Sequence, residues 1–203
     1  MDQFAFVLGA YLLGSVAFGI IVSRLFGLPD PRTVGSGNPG ATNVMRSGKK
    51  AAALLTLLGD AGKGWLAVWL ALRFGLTEGW VCAVALAVFA GHLFPVFYGF
   101  KGGKGVATAA GILLALSPWL GLSVLATWIV AFLMFRISSL SALTAAVFAP
   151  VFALTFNGPG LTSLSVLALA VLLVWTHRSN IRKLLDGTEA GFSKPRSGDR
   201  PPQ

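Results

Sequence analysis

Apolar residues run along this chain in long blocks, and the blocks are separated by short segments rich in Gly, Pro and charge. Nothing alternates with period two, which argues against a membrane barrel. The blocks near 4–23, 51–74, 80–98, 104–116, 119–135, 140–156 and 161–177 are each read as a crossing helix, because about 20 apolar residues span roughly 30 Å of hydrocarbon. The fold class that follows is all-α integral membrane, a bundle of about seven transmembrane helices with Gly-rich cytoplasmic or re-entrant loops. The block at 104–116 is the exception in length, since it would reach only about 20 Å. Irregular backbone at membrane depth survives only when buried in protein or lining a wet cavity, so a short span beside a Gly-rich loop marks a site. The first block follows Met-Asp-Gln and is too long for a signal-peptide core, so it is expected to be a retained span.

Composition makes the bilayer the solvent. Of 203 residues, 55% are apolar and 11% charged, and the mean hydropathy of +0.77 lies outside the range of a water-soluble domain. A net charge of +9 raises the question of nucleic acid. On a membrane protein, however, a basic excess orients the chain and attracts anionic lipid or substrate, so no nucleic-acid partner is expected. Five basic residues fall between Arg24 and Lys50, two at Lys101 and Lys104, one at Arg136 and six from Arg178 onward. The connections at 75–79, 117–118 and 157–160 contain no Lys or Arg. This alternation predicts the N-terminus out and the C-terminus in, with an odd number of spans. Residues 1–186 are read as a single transmembrane catalytic domain, and 187–203 as a polar cytoplasmic tail expected to be largely disordered. Cys82 sits in an apolar block and reads as a small hydrophobe. Two scattered histidines and one cysteine offer no transition-metal site, and no metal or cofactor is expected.

The candidate chemistry lies between the blocks. The first basic loop reads GSGNPGATNVMRSGKK, where Gly35, Gly37 and Gly40 free backbone N–H groups and Ser36, Asn38 and Thr42 add donors for an anion. Asn38 and Pro39 form an N-cap and N1 pair, which predicts a short helix aiming its N-terminus at the ligand, with Arg46 about two turns along. Glycines serving turn geometry alone would not explain the added donors. The second loop, FKGGKGVAT, surrounds Lys101 and Lys104 with Gly102, Gly103 and Gly105, and phosphate is the natural guest. It is not a P-loop, because Gly105 follows Lys104 and no acidic strand end follows to hold magnesium. Lysines that merely snorkel to the interface would account for the charges but not the glycines.

A third cluster, WTHRSNIRKLLDGTE, carries His177, Asn180 and Glu189, and the spacing of His177 and Asn180 puts them on one helical face. An interfacial belt of aromatic and basic anchors is the competing reading. Ser138, Ser139 and Ser141 beside Arg136 are weaker candidates, since hydroxyls in membrane helices commonly bond back to their own backbone. Inside the second block, Asp60 and Lys63 are an i,i+3 charge pair, which marks either a functional interior or a structural ion pair. His92, followed by Pro95, reads as packing or a kink.

The strings GSGNPGATNVMR, GHLFPVFYGFKGGKGVAT and HRSNIRKLLDGTE, in this order at the ends of spans, closely resemble the bacterial acyl-phosphate:glycerol-3-phosphate acyltransferases, the PlsY family. The resemblance covers nearly the whole chain. It implies seven spans in a bacterial inner membrane, an active site toward the cytoplasm, and transfer of an acyl group from acyl phosphate to the sn-1 hydroxyl of glycerol 3-phosphate, giving lysophosphatidic acid. Transient contact with the soluble enzyme that makes the acyl phosphate is also implied. Carried over as catalytic are Ser36, Arg46, Lys104, His177 and Asn180. Gly35, Gly37, Asn38, Thr42, Lys101, Gly102, Gly103, Ser141 and Glu189 are expected to bind substrate or phosphate. Ser36, Arg46, Lys104 and the loop amides are expected around the donor phosphate, with His177 and Asn180 orienting glycerol 3-phosphate.

Acyl phosphate is a mixed anhydride with a ready leaving group, so the enzyme's task is to align two phosphorylated reactants and neutralise their charge. No H-x-x-x-x-D pair exists: Phe97 stands five residues after His92 and Arg182 five after His177. Either His177 takes the hydroxyl proton or a phosphate oxygen of bound substrate does, and the lack of a carboxylate placed to orient His177 favours the second. A phosphate-ester transporter would use the same loops, but it needs access to both faces, and the outer connections are short and carry no Lys or Arg. A non-catalytic membrane scaffold would leave the loop chemistry unexplained.

Overall fold

The computed structural model describes residues 2–192, and within them the chain is a bundle of helices. In order these are α1 (Gln3–Gly14), α2 (Phe18–Leu25), α3 (Ala41–Met45), α4 (Lys50–Arg73), α5 (Glu78–Leu93), α6 (Val106–Leu116), α7 (Pro118–Phe135), α8 (Ser138–Asn157), α9 (Leu161–Thr176) and α10 (Arg178–Leu185). A 3-10 turn, Val96–Tyr98, extends α5. Helices are forced on these blocks because hydrocarbon offers backbone N–H and C=O groups no partners outside the segment. Four helices are long and apolar enough to cross alone, and the bent pairs α1–α2 and α9–α10 bring the number to six. With the short α6 between them, these elements fall on the seven blocks read from the sequence. Helix α6 has 11 residues, about 16 Å at 1.5 Å per residue, and the Gly-rich loop precedes it.

The bundle is packed largely through small residues, with many of its large apolar side chains turned outward and a few, among them Phe89, Ile112 and Leu120, buried in its core. In α4, Ala52, Ala53, Ala67 and Ala71 are buried while Leu54, Leu55, Leu57 and Leu58 are exposed. Lipid is as apolar as leucine, so close backbone approach rather than hydrophobic burial is what joins such helices. Gly111 of α6 lies against the carbonyl oxygen of Ala61 in α4, and Gly91 of α5 against that of Tyr11 in α1. A side chain at either position would strike backbone. Gly111→Val is therefore expected to lower the thermal midpoint of detergent-purified protein by an amount worth at least about 3 kcal/mol, the upper part of the overpacking range. Gly62→Ala, with open space around its Cα, is expected to raise stability by up to about 1 kcal/mol, the helix-interior difference between these residues. Equal midpoints for the two variants would refute this account of the packing.

The first and last spans are each broken. The first bends by 42° across Ser15, Val16 and Ala17. Ser15 Oγ bonds back to the carbonyl of Tyr11 at 2.9 Å, and the carbonyl of Val16, facing no helical N–H, accepts from Lys63 Nζ at 2.7 Å. The last span bends by 59° at His177. His177 caps α10 there, its carbonyl accepting from the Ile181 amide at 2.9 Å, so His177 and Asn180 stand together in the first turn of α10.

Candidate active site

The first basic loop is organised by Asn43. Its Oδ1 accepts from the Ser36 amide at 3.0 Å, and its Nδ2 donates to the carbonyls of Pro31 at 2.8 Å and Val34 at 3.1 Å. Gly35 and Gly37 have φ of 58° and 69°, the left-handed conformation that favours glycine. The expected helix from Asn38 is shorter and later: α3 starts after Gly40, without a side-chain cap, and Arg46 is its C-cap. The reason lies beneath the loop, where Pro39 packs its backbone against Gly19 of α2 and so holds the chain extended for two more residues.

The second loop folds back onto α5. The amides of Gly102 and Gly103 donate to the carbonyls of Leu93 and His92, both at 3.1 Å. Gly102 rests against those carbonyls and Gly103 against the His92 ring, so neither position has room for a Cβ. These two amides, expected to face a phosphate, are engaged with α5 instead. What the loop offers outward is Lys104, whose Nζ donates to Asn180 Oδ1 at 2.5 Å.

From Lys104 a chain of polar contacts runs across the end of the bundle. Asn180 Nδ2 donates to Glu189 Oε1 at 2.6 Å, and Ser139 Oγ donates to the same oxygen at 2.5 Å. Burial pulls the Lys104 pKa below the ordinary lysine value, Glu189 opposes that shift, and the charges of Lys183 and Arg46 add to it. His177 stands beyond the last residue of α9, at the start of the polar α10, and its Nδ1 lies 2.8 Å from the Leu173 carbonyl. That carbonyl can only accept, so Nδ1 carries the proton and Nε2 is left with a lone pair.

The three motifs meet around an open cleft of about 280 Å³, lined by Ser36, Gly37 and Asn38 from the first loop and Gly102, Gly103 and Lys104 from the second. Trp175, Thr176 and Arg178 close its third side, with His177 and Asn180 buried behind them. The other expected residues lie off the cleft. Gly35 is at the back of Asn43, Thr42 Oγ1 pairs with Ser138 Oγ at 3.1 Å, and Lys101 is exposed. Ser141 is buried with its Oγ on the Ile137 carbonyl, as hydroxyls in such helices commonly are. Arg46 reaches the Ala190 carbonyl at 3.2 Å and lies over the Phe192 ring, fastening residues 189–192 across the site.

Sequence reasoning had not placed Asn43 or Thr176 in the site, held Ser139 only as a weaker candidate, and had Arg178 within the third cluster without a role. Thr176 Oγ1, 3.1 Å from the Lys104 carbonyl, ties the second loop to α9. Only its position beside His177, and that of Arg178 on the other side, signalled them. Residues 187–192 are placed against the site, and the expectation of a disordered tail beyond them falls on 193–203, outside the described residues.

The sequence model of the family described as Glycerol-3-phosphate acyltransferase matches residues 4–187. The chain belongs to the glycerol-3-phosphate acyltransferase family. It is 66% identical over 194 residues to the glycerol-3-phosphate acyltransferase of Methylobacillus flagellatus, covering 96% of this chain and 99% of that one. To that of Thiobacillus denitrificans it is 60% identical over 198 residues, with 96% and 99% covered. Its fold matches the crystal structure of PlsY (YgiH), an integral membrane glycerol 3-phosphate acyltransferase, in the glycerol 3-phosphate form, with a TM-score of 0.90, 39% identity, and 95% and 96% of the two chains covered. The lysophosphatidic acid form of PlsY gives a TM-score of 0.89 at 38% identity. The chain is thus a multi-pass integral membrane acyltransferase of this family.

Proposed function

We propose that this protein transfers a fatty acyl group from acyl phosphate to the sn-1 hydroxyl of glycerol 3-phosphate, releasing lysophosphatidic acid and phosphate, the first committed step of phospholipid synthesis. The observation that carries this reading is the meeting of the two Gly-rich loops, Lys104 and Arg178 around one polar cleft at a single end of the bundle. Two phosphorylated reactants held there need alignment and charge neutralisation more than a protein nucleophile. The hydroxyl oxygen forms a bond to the acyl carbon, the anhydride C–O bond breaks, and phosphate leaves with the electron pair. The hydroxyl proton passes to a phosphate oxygen of bound substrate. The Nδ1 proton of His177 is held by the Leu173 carbonyl and no carboxylate among the described residues bonds to the ring, which supports this route over a histidine base and suits Nε2 as a hydrogen-bond acceptor for glycerol 3-phosphate.

In this reading Lys104 and Ser36 face the donor phosphate, Asn180 positions Lys104, and Glu189 and Arg46 fasten the site. The catalytic unit then runs through Phe192, beyond the boundary at 186. The charge of the basic loops supports a cleft at the cytoplasmic face of a bacterial inner membrane, where a soluble enzyme making acyl phosphate would deliver it. Purified protein is expected to form labelled product from acyl phosphate and labelled glycerol 3-phosphate, and to ignore acyl-CoA and acyl carrier protein thioesters. Thioester use with no acyl-phosphate turnover would reject the donor assignment, and a C-terminal reporter active only when exported would reject the orientation.

A further inference from the structure

Beneath the cleft lies a buried polar group that the reaction as derived does not use. Asp60 and Lys63 of α4 and His92 of α5 are 3%, 3% and 8% exposed. Lys63 Nζ is 2.8 Å from Asp60 Oδ1, an ion-pair distance, and His92 Nδ1 is 3.5 Å from the same oxygen, which has no aligned hydrogen bond. The other ring nitrogen, Nε2, is the atom nearest to where a Cβ on Gly103 would stand. The His92 carbonyl meanwhile holds the Gly103 amide. Lys63 also satisfies the Val16 carbonyl at the break of the first span. An ion pair kept only for stability would not need to touch the phosphate loop, and apolar residues of similar volume often serve as well.

We propose that Asp60 and His92 are positioning residues for the reaction: Asp60 fixes the His92 ring, and the ring sets where Gly103 and Lys104 stand at the cleft. Lys63 holds Asp60 in place and ties it to the first span. The inference rests on the reading that the Gly102–Lys104 loop holds a phosphate. That reading is tested first and separately, by wild-type turnover with acyl phosphate and its loss in Lys104→Ala.

With that established, Asp60→Asn and His92→Gln are each expected to raise the KM of one phosphate-bearing substrate by about tenfold, with kcat lowered less than about threefold. The double variant should be no worse than the worse single one, because it cuts the same line of contact twice. Gly103→Ala, which places a methyl against the ring, should cost at least about tenfold in kcat/KM, and the same change made in the His92→Ala background should cost, relative to His92→Ala alone, at most half as much in logarithmic terms. This size exchange keeps the proposal testable where Asp60→Asn does not survive purification. Additive effects, KM values unchanged in folded variants, or Gly103→Ala equally harmful with and without the His92 ring would overturn it.

Discussion

Replacing Lys104 with Ala is expected to lower turnover by at least about 10²-fold, the scale for losing one preorganised donor at a site of developing charge. Lys104 is the cation that the second loop presents at the cleft, and Asn180 and Glu189 hold its ammonium in place. The protein should remain folded, because no helix interface depends on this side chain. A folded Lys104→Ala protein with near-wild-type turnover would remove the phosphate from this loop. The same residue sets a pH dependence. Its pKa is lowered from 10.5, and the charged form is the one that holds phosphate, so activity is lost as pH rises through the lowered value. The alkaline limb of kcat/KM should therefore begin below 10.5, and Lys104→Arg, which stays charged, should move it upward.

His177→Gln is expected to raise the KM of glycerol 3-phosphate by about 10- to 100-fold while lowering kcat less than about tenfold at saturation. The physical ground is the imidazole with its proton on Nδ1, held by Leu173, and an acceptor at Nε2. Were the imidazole the obligatory base, saturating substrate could not restore the rate, because the proton acceptor would be gone. A fall in kcat of about 10³-fold or more at saturation, with KM unchanged, would reject proton transfer to a substrate phosphate.

The spans and the grouping of the site were legible in the sequence because both depend on local signals. Block length places a helix in hydrocarbon, and Gly among cations at the end of a block marks a turn that can meet an anion. The break at Val16 was not legible, since the group that relieves it, Lys63, lies 47 residues away. Asn43 was hidden for a related reason: its side chain looks like any helix residue until three loop groups are seen converging on it. The glycines at 102 and 103 gave the right place but not the right use. Their amides turn inward because α5 ends in two open carbonyls, at His92 and Leu93, that only a backbone this close can reach. Asp60 and Lys63 were visible as a costly pair, whereas the third member, His92, read as packing because its partner is on another helix.

The broken first span also bears on how the chain enters the membrane. Val16 is synthesised before Lys63, so the donor for its carbonyl does not yet exist when this segment meets lipid. An open carbonyl in hydrocarbon costs several kcal/mol, about the price of one lost hydrogen bond with nothing in return. The nascent segment must therefore cross as an unbroken helix, its Val16 carbonyl taken by its own turn. The bend, and with it the seat for Pro39 and the first loop, forms only when α4 docks. The seat of the first loop is thus complete only with α4 in place, and a chain arrested before Lys63 would lack the donor that holds the bend.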